Sequence, residues 1–334
     1  MNEGGLGLPC LRTLIPELTE KQLSRLNRES YPAAKAAYMS ARVQKKLQWA
    51  KRMADRYRDS SGNGARQYWT RALHASVDGY ELRESGKTTE STGSIAQRSH
   101  CVPGRDYIQY VHTHINTLPS RIRTSRGQRE NRVLACRAGC LETETTAHII
   151  QNCPRTHGGR IHRHNAVAHI LAENLNRLGY VTEEEPPLRT TVGLRKPDIL
   201  AVKGSKVTLI DAQIVSGATA LDDAHNRKSS YYRDVPSIRD AVAEHLGVEQ
   251  VRDENFRVTS CTISWRGVWS HKSSKDLRKL GLTVRTLMSL TTRVLQGSHM
   301  NFTRYMQMTS RARRSTNHQG RPQHDSGRGV GPPN

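Results

Sequence analysis

Large aromatic side chains are scarce in this sequence, which has two Phe and four Trp among 334 residues. Single-strand binding by base stacking depends on such rings, so we do not expect stacking to be the main binding mode. The sequence also lacks a run of about 18 apolar residues, which excludes a membrane-spanning helix. No apolar signal-peptide core opens the chain, and six Cys are too few for a secreted disulfide scaffold, so we expect an intracellular protein.

Acidic residues are outnumbered, with 30 Asp and Glu against 52 Lys and Arg and a formal net charge of +22. Each Lys or Arg that neutralises a phosphate releases condensed counterions, so this excess favours a polyanionic partner. The alternative is an ordinary basic protein, which is disfavoured because the positive charge runs along the whole chain. A length of 334 residues allows about two domains.

Apolar periodicity predicts a mixed α/β protein. Helical spacing is found at about 19–58 with an interruption at Pro32, and at 66–77, 104–115, 221–233, 236–246 and 273–280. A further helix carries Val167 through Leu178 and ends at Gly179. Two apolar runs, 198–203 and 206–215, are joined by Gly204-Ser205 and predict a β-hairpin, and 256–265 predicts another strand.

Polar and glycine-rich segments separate these elements. Residues 2–9, 59–65 and 84–104 are predicted to be irregular. The tail from about residue 309 is predicted to be disordered, because it has almost no large apolar residue. Thr19 and Gln22 predict a capping box at the start of the first helix.

Two basic stretches are candidate contacts to nucleic acid. The helix that carries Ala36 through Ala50 has Lys and Arg between its apolar residues, and its alternative is a solvated face over a core. The second stretch, for which a solvated loop is an equally good interpretation, holds Arg121, Arg123, Arg126, Arg129 and Arg132.

Four metal-type ligands follow in the pattern Cys136-x3-Cys140-x7-His148-x4-Cys153. Zinc needs four such ligands at tetrahedral corners, and a structural zinc site is closed, so we expect no chemistry there. Gly139 would allow the first turn to close, and Thr145 or Thr146 could begin a short helix that carries His148. The alternatives are buried thiols beside a surface histidine, or a ligand supplied by one of His157, His162 and His164. The work of a structural zinc site here would be to fix the fold locally and to offer the backbone and Arg137 to nucleic acid.

Two carboxylates lie on the predicted hairpin, with Asp198 before its first strand and Asp211 within its second. A charged residue flanked by aliphatic residues on a strand is costly unless it is paired or binds metal. Two carboxylates with water and a substrate phosphate make a typical Mg²⁺ site, which would polarise water for phosphodiester hydrolysis. Many such nucleases place a lysine two residues after the second acid, where this chain has Gln213, so we expect Lys228 to reach back, with Tyr232 on its face. The alternative is a strand-edge acid and a solvated lysine.

The order of these pieces, together with further motifs, resembles the C-terminal part of the polyprotein of the R-two non-LTR retrotransposon over about residues 3–310. The matching stretches are Gly-Gly-Leu-Gly-Leu-Pro at 4–9, Val-His-Thr-His-Ile-Asn at 111–116, Pro-Ser-Arg at 119–121, Cys-Arg-Ala-Gly-Cys at 136–140, Thr-Thr-Ala-His-Ile at 145–149, Thr-His-Gly-Gly-Arg-Ile at 156–161, Arg-His-Asn at 163–165, Val-Gly-Leu-Arg-Lys-Pro-Asp-Ile at 192–199, Ser-Cys-Thr-Ile-Ser-Trp-Arg-Gly-Val-Trp at 260–269 and Gly-Ser-His-Met-Asn at 297–301.

The resemblance implies an α/β (α+β) restriction-endonuclease-like domain with a small mixed sheet, preceded by a mostly helical linker and a CCHC zinc knuckle. The implied domains are the end of a reverse transcriptase thumb (1–30), the linker (31–134), the knuckle (135–158), the endonuclease (159–290) and a C-terminal segment with a disordered basic tail (291–334).

The resemblance also implies roles for single residues. The four Cys and His residues match the zinc ligands, Asp198 and Asp211 match the Mg²⁺ ligands, and Lys228 matches a displaced catalytic lysine, which with Tyr232 completes the predicted catalytic set. His114 and Asn116 match a linker motif that handles RNA and DNA, and Arg163 and His164 match a motif of the endonuclease's first helix. The predicted nucleic-acid contacts are His114, Asn116, Arg121, Arg123, Arg137, Arg163 and His164.

The function so implied is Mg²⁺-dependent, site-specific DNA nicking within a polyprotein that performs target-primed reverse transcription. No Ala-Asp-Asp or Tyr-x-Asp-Asp motif occurs, so the polymerase site is expected to lie outside this chain. The implied partners are target DNA in ribosomal RNA genes, element RNA, the upstream reverse transcriptase region and a second subunit, at a nuclear, and within the nucleus nucleolar, location. The alternatives are a non-catalytic zinc-knuckle module from a truncated or decayed element, and an intracellular zinc protein whose basic surface meets other proteins.

Overall fold

Helices form most of the N-terminal half. The computed structural model describes residues 11–56, 65–96, 102–128 and 133–318. The helices before residue 128 are α1 (Leu11–Leu26), α2 (Pro32–Met39), α3 (Ala41–Asp55), α4 (Ala65–Ala75), α5 (Thr89–Ala96), α6 (Gly104–His114) and α7 (Arg121–Ser125). The predicted break at Pro32 is confirmed, because this proline takes the first position of α2, where no N–H is needed.

Several local predictions in this half are corrected. Thr19 lies inside α1 rather than at its start, so the predicted capping box is wrong. Residues 84–104 are not irregular throughout, since they contain a 3₁₀ turn at Ser85–Lys87, then α5, and the start of α6. The predictions for residues 2–9, for 59–64, and for Arg129 and Arg132 lie outside the described residues.

A small mixed sheet forms the centre of the C-terminal half. Its strands are β1 (Val181–Glu184), β4 (Ile199–Lys203), β5 (Lys206–Val215) and β6 (Phe256–Ser264), in the spatial order β1-β4-β5-β6. The strands β4 and β5 form the predicted antiparallel hairpin, whereas β5 and β6 are parallel. A separate short hairpin consists of β2 (Leu188–Thr190) and β3 (Gly193–Arg195).

Helices cover both faces of this sheet. They are α8 (His157–Arg177), α9 (Leu221–Arg233), α10 (Ile238–Leu246), α11 (His271–Lys279) and α12 (Val284–His318). Successive side chains of a strand point to opposite faces. On β5, Ile210 therefore packs in a core with α8, α11 and α12, while Leu209 packs in a second core with α9 and α10. Each buried aliphatic side chain contributes about 1.5–3 kcal/mol of transfer free energy.

The helix α12 was not predicted, and it shortens the tail that was expected to be disordered. It runs from Val284 to His318, and residues 319–334 lie outside the described part of the chain. Its first half buries Leu287, Leu290 and Val294 in the α8 core. Among the described helices, none combines the length and the apolar character needed to span a membrane. A mixed α/β architecture around a small mixed sheet is confirmed.

Candidate functional site

The four predicted zinc ligands lie together. Their ligand atoms, Sγ of three Cys and one nitrogen of His148, are all within 4.8 Å of one another. The Sγ atoms of Cys136 and Cys153 are 3.9 Å apart, and Cys140 Sγ is 3.1 Å from His148 Nε2. A tetrahedral zinc with sulfur at 2.3 Å requires ligand separations of roughly 3.8 Å. The residues therefore fit a zinc ion, with His148 rather than another histidine as the nitrogen ligand.

Local backbone geometry creates this cluster. Gly139 has a φ of +78°, and its N–H donates to Cys136 O at 3.0 Å, which closes the Cys136–Cys140 turn as predicted. A π-helical turn over His148–Asn152 then ends where Cys153 N donates to His148 O at 2.7 Å. In an α-helix, positions five apart would point about 140° away from each other. The wider turn instead brings His148 and Cys153 to the same side.

A buried carboxylate, Glu144, supports the cluster from behind. Its side chain is fully buried and accepts the N–H groups of Arg121 at 3.0 Å and Arg137 at 2.9 Å. It also pairs with the Arg137 guanidinium at 2.8 Å and accepts the Tyr305 hydroxyl at 2.7 Å. Burial would raise the pKa of Glu144, but these donors outweigh it and hold the pKa below its usual value. Tyr305 also lies 3.0 Å from Cys136 Sγ, so one network joins the ligand turn to α12.

The two predicted acids face each other across the hairpin. Ile199 on β4 pairs with Ile210 on β5, and one further step in this register places Asp198 opposite Asp211. The Oδ2 atom of Asp198 accepts the N–H of Ala212 at 2.6 Å. Both carboxylates are largely buried, with side-chain exposures of 13% for Asp198 and 5% for Asp211.

The pKa values of the two carboxyl groups are shifted in opposite directions. Burial and the nearby Asp198 raise the pKa of Asp211 to about 7. Burial would also raise the pKa of Asp198, but the interactions with His164, Asp211 and the Ala212 N–H together outweigh burial and lower that pKa, with the hydrogen bond from His164 as the largest of them. The same hydrogen bond, over 3.2 Å from His164 Nε2, raises the pKa of His164 to about 9. His164 is therefore part of this site, whereas its sequence motif had been assigned only to nucleic-acid contact.

The acid pair and His164 provide the kinds of ligand atom that bind a divalent cation, and one of the carboxylate oxygens accepts no hydrogen bond from the described residues. One ligand atom each from His164, Asp198 and Asp211 lie within 4.8 Å of one another. The buried Asp211 Oδ2 has no hydrogen-bond partner among the described residues, although Lys228 Nζ lies 3.0 Å away as an ion pair. Carboxylate oxygens suit Mg²⁺ and Mn²⁺, so the residues fit a divalent cation.

The helix α9 supplies the lysine, and Gln213 explains why β5 does not. The Gln213 amide donates to Ala224 O at 2.9 Å and to Thr262 Oγ1 at 2.7 Å, so it ties β5 to α9 and β6. Lys228 is 36% exposed and bridges between the acids and solvent. Tyr232 is buried instead, and its hydroxyl donates to Lys196 O at 3.0 Å. Tyr232 therefore positions the segment before Asp198, and because its hydroxyl also interacts with the Asp211 carboxylate, its catalytic role stays a prediction.

A small cleft of about 180 Å³ opens beside Asp198, and Glu184 and Glu185 line it with His164. β1 runs antiparallel to β4 and places Glu184 opposite Ile199. These two glutamates were not among the predicted site residues. The run of three glutamates at 183–185 was the available signal, but its strand was too short and polar to be recognised.

Two predicted nucleic-acid contacts are buried. Arg163 is 3% exposed and donates to Ser298 Oγ at 2.7 Å and to Gln151 Oε1, and burial lowers its pKa to about 9. A Cβ at position 297 would lie 2.6 Å from Arg163 Cγ, which explains the glycine of the Gly297-Ser298 motif. His114 is 2% exposed, its Nδ1 lies 2.8 Å from Arg266 O, and burial lowers its pKa to about 4. A direct contact from Arg163 or His114 to nucleic acid is therefore corrected to a structural role.

The other predicted contacts remain accessible to different degrees. Asn116 and Arg123 both bind the Asp78 carboxylate, the former through Nδ2 at 2.9 Å. Arg121 donates to Ala135 O at 2.5 Å, and Arg137 is half-buried against Glu144. These residues order the segment that leads into the sulfur cluster (Cys136, Cys140, His148 and Cys153) and its first turn, and their contacts to nucleic acid stay a prediction.

No family model matches the chain. A retrovirus-related Pol polyprotein from the type-1 retrotransposable element R2 of Nasonia vitripennis is 36% identical over 314 residues, which cover 94% of this chain and 29% of that protein. The corresponding protein of Bradysia coprophila is 34% identical over 92% of this chain and 35% of its own length. That of the type-2 retrotransposable element R2DM of Drosophila melanogaster is 35% identical over 93% of this chain and 29% of its own length.

The names shared by these relatives place the chain among the polyproteins of retrotransposable elements. More narrowly, it is homologous to a segment of the R2 Pol polyproteins. The chain spans about a third of the length of these curated relatives, at 29%, 35% and 29%.

Proposed function

We propose that this chain is the DNA-nicking segment of an R2-type polyprotein, and that the acid cluster (Asp198, Asp211, His164 and Lys228) is its cutting site. One observation carries the proposal: two buried carboxylates face each other across a hairpin, with the ammonium of the partly exposed Lys228 at 3.0 Å from Asp211 Oδ2. The net charge of +22 provides the attraction to DNA.

Asp198 and Asp211 would hold the cation, which we propose to be Mg²⁺. When bound, Mg²⁺ would offset negative charge on the scissile phosphate and lower the pKa of a water molecule. Asp198 is prepared for this role, because its hydrogen bonds from Ala212 N–H and from His164 keep it ionised and fixed.

Lys228 would act on the reacting phosphate. Its ammonium group is paired with Asp211 in the protein alone, and its exposure of 36% leaves it open to solvent on the other side. From this position Lys228 would neutralise a phosphate oxygen or orient the attacking water. Through its hydrogen bond to Lys196 O, Tyr232 would hold in place the segment that carries Asp198 into β4.

The sulfur cluster would bind a structural zinc ion and position the nearby basic residues. We further propose a restriction-endonuclease type of fold for the sheet and its helices, with α2 to α7 in the linker and α1 in the end of the reverse transcriptase thumb. The proposed partners are element RNA, target DNA of ribosomal RNA genes, the reverse transcriptase region and a second subunit, and the proposed location is the nucleus.

Plasmid nicking tests the cutting site. The wild-type chain with Mg²⁺ is expected to convert supercoiled plasmid into open circles, and Asp211→Ala is expected to abolish this. Asp234→Ala is the matched control, since Asp234 is 70% exposed and distant in the chain from the acid pair. Equal nicking by wild type and Asp211→Ala would refute the site. If all three proteins bind DNA and none nicks it, also with the polymerase region added, the chain is a non-catalytic binding module.

A further inference from the structure

A basic cleft of about 680 Å³ lies between the sulfur cluster, the start of α8 and the second half of α12. Three arginines line it from separate segments: Arg137 inside the ligand turn, Arg155 before α8, and Arg304 on α12. None of its described lining residues is acidic. The cleft is distinct from the acid cluster, with which it shares no lining residue.

Two of these arginines have no acidic partner among the residues that the structure describes. Arg155 and Arg304 are exposed, and neither forms an ion pair with any residue that the structure describes. Arg137 differs, because its guanidinium is already paired with Glu144 at 2.8 Å. The Arg137 side chain is therefore held in place at the edge of the cleft, whereas the side chains of Arg155 and Arg304 can turn towards a ligand.

A buried amide supplies a donor that the fold itself does not use. Asn301 lines the cleft and is 2% exposed, yet its Nδ2 has no hydrogen-bond partner among the described residues. Its Oδ1 lies against Gly159, where any Cβ would overlap it. Buried amide N–H groups are nearly always paired in native proteins, so this one points to an acceptor that the protein alone does not provide.

The start of α8 faces the same cleft through Gly158 and Gly159. The first N–H groups of a helix have no intrahelical partner, and the helix dipole favours an anion there. No side chain caps this helix within the described chain, because the Thr156 hydroxyl donates instead to Ile149 O at 2.7 Å and to Cys153 O at 3.0 Å. At Gly158 an added Cβ would meet nothing within 4 Å, so the backbone at this position is open to a ligand.

We propose that this cleft binds a backbone phosphate of a nucleic-acid strand, held by Arg155, Arg304, Asn301 Nδ2 and the first turn of α8. Its volume exceeds that of a single phosphate ion, which favours a phosphodiester within a longer strand. Gly158 and His164 lie six residues apart on α8, an axial rise of about 9 Å and a rotation of about 240°, so the cleft and the acid cluster are close along the helix but on different faces of it. The site holds a strand whether or not the acid cluster cuts it.

Fluorescence anisotropy tests the site, with labelled single-stranded RNA, single-stranded DNA and duplex DNA of scrambled sequence. Mg²⁺ and chelators are both left out, so that cutting is silent and zinc is retained. The double variant Arg155→Ala/Arg304→Ala is compared with Arg177→Glu, which makes the same change of two charge units at the exposed far end of α8. Melting temperature and zinc content are measured for each protein.

The double variant is expected to bind about tenfold more weakly at about 0.15 M salt, with a slope of log affinity against log salt reduced by about 1–2. Arg177→Glu is expected to stay within about threefold of wild type. A loss on RNA only, on DNA only or on both supports the site and identifies the strand. A double variant that binds all three probes like Arg177→Glu overturns the proposal.

Asn301→Asp distinguishes a specific phosphate site that uses the buried amide from a surface that attracts nucleic acid by charge alone. It keeps the shape of the side chain but replaces the buried donor with a carboxylate. We therefore expect Asn301→Asp to bind the probes about fivefold more weakly than wild type. If the arginine variant weakens binding while folded Asn301→Asp binds as tightly as wild type, the amide takes no part, and the proposal is overturned.

Discussion

The two metal-type clusters lie on either side of the first turns of α8, and their surroundings are opposite. In the sulfur cluster, Cys153 is fully buried, and Glu144 behind it accepts four donors. In the acid cluster, Asp211 is paired with the partly exposed Lys228, and a cleft opens beside Asp198. The first arrangement is closed and held from behind by the fold, whereas the second is open to solvent on one side.

This contrast distinguishes a structural site from a reactive one. Buried polar groups that are fully paired stabilise and specify a fold, whereas groups kept buried without partners reduce stability and persist where function requires them. We therefore expect the sulfur cluster to be needed for folding and the acid cluster to be needed only for cutting. Removing each cluster in turn tests this division.

The largest effect is expected from loss of the sulfur cluster. Structural zinc contributes about 10–16 kcal/mol of binding free energy, which is coupled to folding. Cys153→Ser should therefore eliminate the bound zinc and unfold the segment from residue 133 to 156. Metal analysis of reduced protein, with about one zinc per chain in wild type, and thermal melting measure this effect.

Cys261→Ala is the matched control, because Cys261 is equally buried but lies on β6 outside the cluster. It should retain zinc and lose only the stability of a small core truncation. Retention of zinc and of the wild-type melting temperature by Cys153→Ser would remove the contrast between the two clusters.

Both clusters could be located from the sequence, but their surroundings could not. The spacing of Cys136 to Cys153 and the hairpin register of Asp198 and Asp211 follow from local patterns, which is why they were predictable. The place of His164 beside Asp198 depends on how α8 packs over the sheet. Packing of elements far apart in sequence leaves no local periodicity, so this proximity was not visible.

The same limit explains the misassigned basic residues. Arg163 belongs to a basic motif, yet it lies buried over Gly297 and is bonded to Ser298 on α12. One of its two hydrogen-bond partners, Ser298, is 135 residues away in the chain, whereas Gln151 is 12 residues away. Arginine is seldom fully buried, so a surface contact was the reasonable expectation.

A conservative substitution should affect the two clusters unequally. Asp198→Glu keeps the charge but moves the carboxylate by about one bond length, away from Ala212 N–H and His164. Misplacement by about 1 Å costs on the order of 10²-fold in rate, so nicking should fall by that factor while zinc content stays the same. Gel quantification of open-circle plasmid over time gives the rate.

His148→Cys is the counterpart in the sulfur cluster. Four Cys also bind zinc tetrahedrally, so this variant should keep its zinc and most of its nicking rate. A result in which His148→Cys nicks as poorly as Asp198→Glu would mean that the sulfur cluster has a direct part in cutting.

Lys228→Ala should have a smaller effect on nicking, about tenfold, because the metal ligands remain and only a stabilising charge is lost. Lys228→Arg should recover part of the rate, since it restores the charge. Lys275→Ala on α11 is the control for loss of an exposed lysine. Rates under saturating plasmid separate this effect from weaker binding, and an unchanged rate in Lys228→Ala would remove the residue from the site.

The smallest expected effect is an increase in stability, whereas the other substitutions are expected to reduce stability or nicking. Asp211→Asn should stabilise the protein without Mg²⁺ by about 1–2 kcal/mol at pH 8, because it removes a buried carboxylate charge next to Asp198. The folded-state pKa of Asp211, about 7, lies above its ordinary value of 3.8, so the folded protein holds an extra proton between these values. Stability of the wild type should therefore decline relative to Asp211→Asn as pH rises from about 4 to 7. Denaturant unfolding at pH 5 and pH 8 measures the difference. A variant less stable than wild type at pH 8 would show that the Lys228 pair outweighs the repulsion, and that the acid cluster, like the sulfur cluster, contributes to the fold.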